Sequence, residues 1–188
     1  MFSSRFVYCI ITALIVLNYT GAFAYSERKD YFSLPQAGGW FGIVTPLGPL
    51  SKKIDTSLGG GVYARFTFPW QYLKFGVDAS YQKFKERGDN GLQFAPVFGS
   101  LIFQIPVDFP VRFQFKGGAG LGYVYIKPDK IGQWEPIFTG GIEISFPAGR
   151  IVNIGLRVDY IYIYEGYLKG GKSGGHIINS GIQLYFNI

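Results

Sequence analysis

From residue 37 to the end, apolar and polar residues alternate singly in one stretch after another. In residues 111–126, the odd positions hold Val111, Phe113, Phe115, Ala119, Leu121, Tyr123 and Tyr125. The even positions hold Arg112, Gln114 and Lys116, then Gly118, Gly120 and Gly122. A β-strand sends successive side chains to opposite faces, so one face here is apolar and aromatic and the other is cationic, then nearly bare. A helix would mix the two sets around its circumference, and each glycine would weaken it.

The same period predicts eight strands, at 37–47, 58–68, 72–84, 92–105, 111–126, 136–146, 150–164 and 176–188. The third alternates Leu73, Phe75, Val77 and Tyr81 with Lys74, Asp78 and Gln82; the seventh alternates Ile154, Leu156, Val158 and Tyr160 with Asn153, Arg157 and Asp159. The faces of 37–47 and 92–105 are left unassigned, because apolar residues occupy both phases. Connections sort by length. Residues 48–57, 85–91, 127–135 and 165–175 form long polar segments, and 69–71, 106–110 and 147–149 form short proline-bearing ones, in strict alternation. In an up-and-down meander, alternate connections share an end. One end therefore collects the long loops, and the other collects the tight turns and both termini.

Composition bears on the surroundings of this sheet. Only 16% of the 188 residues are charged, against roughly 25% in soluble domains. The N-terminus carries Arg5, an apolar run over 6–17, and Ala22-Phe23-Ala24, the small-residue pattern of a cleavage site. Residues 1–24 are expected to be a signal peptide cleaved after Ala24, 25–36 a short periplasmic leader, and 37–188 one β-barrel domain. The single cysteine, Cys9, lies within the signal segment, so the mature chain carries neither disulfides nor thiol chemistry.

Alternation alone leaves open which face meets water. The interior of an eight-stranded barrel is just wide enough for its side chains to fill. The apolar faces hold too many rings for that space, while the polar faces are rich in glycine and small residues. Aromatics also gather at strand ends: Phe66, Phe68 and Trp70 at one end; Tyr81, Phe84, Tyr123, Tyr125, Tyr160, Tyr162 and Tyr164 at the other. Membrane barrels carry such girdles, together with short periplasmic turns, longer external loops and an even strand number. The reading is all-β: an eight-stranded antiparallel up-and-down transmembrane β-barrel in the cell outer membrane of a diderm bacterium. Over residues 37–188 the arrangement resembles the small outer-membrane barrels of the OmpA-, OmpX- and OmpW-like type, through loop alternation, signal peptide and strand pattern rather than a diagnostic motif. The resemblance implies insertion by the outer-membrane assembly machinery. Such barrels usually end on an aromatic residue, whereas here Phe186 is third from last and Ile188 ends the chain.

Three patterns bear on chemistry. Residues 166–173 match the P-loop spelling G-x-x-x-x-G-K-S, but a strand follows where phosphate binding needs a helix N-terminus, so the segment reads as a flexible loop. His176 is the only histidine; with Ser173 or Ser180 it suggests a lipid A-modifying enzyme, a distant alternative lacking a nucleophile–base signature. The third pattern is a set of inward charges: Arg65, Lys74, Arg112, Lys116 and Arg157 against Asp78, Glu143 and Asp159. Charges in a narrow lumen must be paired, which predicts an internal network that plugs the barrel. The competing reading is a narrow porin-like channel for small solutes, weakly anion-preferring because cations outnumber anions. A loop centred near residue 131 would place Gly118 opposite Glu143 and Lys116 diagonal to it; a turn near 108 would place Arg112 beside Gln104.

Net charge is +6, with the cations spread along the chain and never more than two together, which excludes a nucleic-acid surface. Lys52, Lys53, Lys85, Arg87, Lys127, Lys130, Lys169 and Lys172 make the external loops basic. The expected role is structural or adhesive, through those loops. No enzymatic activity, cofactor or metal is expected. The expected partners are outer-membrane lipid, lipopolysaccharide and the assembly machinery, and the expected state is a monomer.

Overall fold

The computed structural model describes residues 34–68, 70, 72–86, 91–106, 111–127, 131–149, 151–164 and 174–188. The signal segment, the cleavage position after Ala24 and most of the leader lie outside the described residues, as does the P-loop-like stretch 166–173.

Eight long strands follow from the period-two stretches: β1 Gln36–Leu47, β2 Ser57–Thr67, β3 Leu73–Lys83, β4 Gly91–Gln104, β5 Arg112–Lys127, β6 Ile131–Pro147, β7 Val152–Ile163 and β8 Gly175–Asn187. Each pairs antiparallel with its chain neighbour, and β1 pairs with β8 to close the barrel. Closure leaves no wall edge, which a bilayer demands because it offers backbone groups no alternative partner.

Every strand turns an apolar phase outward. Phe41, Val62, Phe115, Leu121, Phe138, Ile142, Leu156, Val158 and Ile182 are all exposed. An apolar surface running right around the wall far exceeds the few hundred Å² that a soluble monomer exposes, so lipid is its solvent. Trp70 packs against Phe103 and Tyr72 at the end bearing the chain termini, while Tyr123 packs against Trp134 at the opposite, loop-bearing end. Phe84, expected in the outer girdle, instead points inward and is buried, because it keeps the inward phase of Lys74, Asp78 and Gln82.

Two register expectations need correction. Gln114, not Gly118, lies opposite Glu143, and Gly118 pairs with Thr139. The cause is strand length. β5 runs on to Lys127 and β6 starts at Ile131, so much of the expected loop 127–135 is strand and the length sorting of connections is less clean than the sequence implied. A shift of even parity preserves the faces. Lys116, now opposite Gly141, is still diagonal to Glu143. Likewise Gln114, not Arg112, sits beside Gln104.

The unassigned faces also resolve. Trp40 and Val44 of β1 point inward, as do Leu92, Phe94, Phe98 and Ile102 of β4. The lumen is therefore apolar in part, not polar throughout.

Candidate functional site

The inner wall is layered along the barrel axis. Toward the end bearing the termini lie the charges. Arg65 Nη2 donates to both carboxylate oxygens of Glu143, at 2.9 and 2.7 Å, and Arg65 Nη1 donates to Gln114 Oε1 at 3.1 Å. Gln114 continues the chain to Gln104 at 3.1 Å. Gln183 donates to Glu143 at 3.0 Å and accepts from the Tyr63 hydroxyl at 2.9 Å. Arg157 Nε donates to Asp159 at 2.8 Å, and its Nη2 donates to Asp78 at 3.1 Å and also to Asp159. Lys116 Nζ sits among three carboxylates, 2.9 Å from Asp159, 3.4 Å from Glu143 and 3.7 Å from Asp78, held by charge rather than by a directed hydrogen bond.

This core of the network is neutral: Arg65, Lys116 and Arg157 against Asp78, Glu143 and Asp159, all buried. Aromatic faces fill the space between the guanidinium groups. Arg65 lies 4.3 Å from the Tyr63 ring centre, and Arg157 lies 5.0 Å from that of Trp40. Tyr63, Trp40 and Gln114 belong to the network as fully as the charges do. The alternation already marked Gln114 as inward, and Tyr63 shares the phase of Arg65.

The two remaining predicted lumen cations lie nearer the end bearing the termini. Lys74 Nζ donates to the Leu34 carbonyl oxygen at 3.4 Å, just before β1. Arg112 is buried at the start of β5, opposite Ser145.

Toward the loop end the lumen turns mainly apolar, with Gln82 and Glu135 buried among the apolar side chains. Val44, Phe84, Phe94, Val124, Ile137, Ile161, Ile163 and Ile177 form one buried cluster continuous with Trp40 and Phe98. The segment between β1 and β2 closes over it. A 3-10 turn, Gly48–Lys52, brings Leu50 against the cluster, and Ile54 is buried in it. Gly48 takes φ 61°, a left-handed value that favours glycine. Ile54 and Asp55 pair with Glu86 and Lys85 in a short two-stranded ribbon, which ties this cap to the next connection.

On the cap, Lys52 and Lys53 are exposed; Lys127 is half-buried at the end of β5. Lys85 contributes its backbone to the ribbon. Arg87, Lys130, Lys169 and Lys172 lie outside the described residues, as does Ser173. His176 is on the outer wall, not in the lumen. Its Nδ1 is 2.5 Å from the Tyr160 hydroxyl, and its ring packs against Tyr162. Ser180 lies further along the same strand, and the structure does not bring it to His176.

No family model matches the chain, and no curated protein matches it by sequence. Solved structures do match. Neisserial surface protein A superposes with a TM-score of 0.67 at 11% identity, over 82% of this chain and 97% of that one. The outer membrane protein OprG from Pseudomonas aeruginosa superposes with a TM-score of 0.50 at 14% identity, over 82% of this chain and 96% of that one. At such identities the likeness establishes the fold. The chain has the fold of these proteins, a small eight-stranded transmembrane β-barrel of the outer-membrane type.

Proposed function

We propose that this protein is a closed outer-membrane barrel that acts through its external face, as a structural or adhesive protein whose basic loops hold acidic surface polysaccharide or lipid phosphate. The observation that carries this reading is the filled lumen: a neutral buried ion network, an apolar cluster above it and a cap over both. With the lumen occupied by side chains, contact chemistry falls to the rim, where Lys52 and Lys53 are exposed. The reading includes export by a signal peptide, insertion by the assembly machinery and a monomeric, non-enzymatic state.

Heat-modifiable migration on SDS gels, with fractionation to the outer membrane, tests the placement. Purified protein in planar bilayers should give no discrete conductance steps; regular single-channel events would favour the porin-like alternative. Bound dextran sulfate should exceed neutral dextran and fall in a Lys52→Ala, Lys53→Ala variant. Equal retention of both polymers would remove the adhesive reading.

A further inference from the structure

Pro96 stands in the middle of β4, where a closed wall would ordinarily place a residue with an N–H. The direction of the missing bond can be read from its neighbours. Gln104 N donates to Tyr72 O on the β3 side, and Ile105 N donates to Phe113 O on the β5 side. Even positions of β4 therefore bond toward β3, so Pro96 removes a donor from that joint. The ladder shows it: β3 and β4 pair at Ala79–Val97 and at Gln82–Phe94, with no pairing between Ser80–Tyr81 and Ala95–Pro96.

A cleft opens on the outer wall at this place. Ala95 is its small floor. Tyr123 pairs with Ala95 on one side, and exposed Tyr81 stands on the other, bounding a slot of about 430 Å³. The Tyr81 hydroxyl donates to Gln93 at 3.1 Å, at the top of the slot. Lys127 also lines the slot, and Lys83 stands across Gln93 from it at the loop end of β3. Apolar walls thus lie within the bilayer, an amide and phenols lie at the girdle, and two ammonium groups lie above. That sequence of chemistries complements one lipid with an anionic headgroup.

We propose that the cleft binds a single phosphate-bearing lipid of the external leaflet, with an acyl chain over Ala95 between Tyr81 and Tyr123 and the phosphate held by Lys83 and Lys127. The site deepens the proposed contact with lipid phosphate and shares Lys127 with it, but it is independent of the lumen and of the cap lysines. Native mass spectrometry of the full, refolded barrel tests it, with lipid A and phosphatidylglycerol as anionic probes and phosphatidylcholine as the zwitterionic one. One bound copy of either anionic lipid is expected, in preference to phosphatidylcholine. Affinity should fall about thirtyfold in a Lys83→Ala, Lys127→Ala variant. Ala95→Trp, which fills the slot without touching a charge, should lower it at least about tenfold. Heat-modifiable migration verifies that both variants are folded. Three results would overturn the proposal: undiminished binding by the variants, equal uptake of phosphatidylcholine, or displacement of lipid by inorganic phosphate alone.

Discussion

Single residues set how closely this wall can close. A Cβ on inward-facing Gly118 would come within 2.9 Å of Ser100 Cα, whereas one on its outward neighbour Gly117 would meet nothing nearer than 4.0 Å. Gly118→Ala should therefore lower the unfolding midpoint in denaturant or abolish the folded band on SDS gels, while Gly117→Ala leaves both unchanged; equal behaviour of the two would refute the packing argument. Glu143 is the residue on which Arg65, Lys116 and Gln183 converge. Glu143→Ala leaves buried cations short of counter-charge and should cost about 3–5 kcal/mol in vesicle unfolding titrations. The paired change Arg65→Met, Glu143→Leu should recover most of that loss, because it removes both charges together. No recovery in the double variant would show that the ion pair is not the origin of the cost.

Elements explain what could be read from the sequence and what could not. Strands β3, β5, β6, β7 and β8 show their faces in the sequence, because lipid demands an unbroken apolar phase and the ion network demands a polar one. β1 and β4 conceal theirs: Trp40, Phe94 and Phe98 serve the inner wall while Phe41, Val97 and Leu101 serve the outer one. The apolar cluster did leave a signal. Continuing the inward phase beyond Asp159 gives Ile161 and Ile163, and continuing it beyond Gly122 gives Val124. Registers drifted because the extension of β6 to Ile131 depends on pairing with β5, which alternation within one strand does not encode. The cap was the least legible element, since Ile54 reads as an isolated apolar residue in a polar loop. It can be tested alone. Ile54→Asn places an uncompensated amide in the apolar cluster at a cost of roughly 1–3 kcal/mol. Limited trypsin digestion should then cut after Lys52 or Lys53 about tenfold faster than in the parent protein. Unchanged digestion would mean that Ile54 does not hold the cap down.

At the scale of the molecule, two solvents act on one sheet: lipid outside and the protein's own side chains inside. Val158 lies midway along β7 on the lipid side, and Ile151 lies at the turn before that strand. Val158→Arg should destabilise the barrel by about 2–4 kcal/mol and Ile151→Arg by no more than about 1, measured by unfolding from phospholipid vesicles. Equal costs would contradict the depth assigned to either residue. The proline-interrupted joint between β3 and β4 has a mechanical consequence. Lateral bilayer pressure is carried around a closed wall through its inter-strand joints in series, so the softest joint sets the hoop compliance. Strain should gather at Tyr81 and Ala95, and any lipid seated there would act as a splint. The stiffness of the barrel would then follow the composition of the leaflet around it.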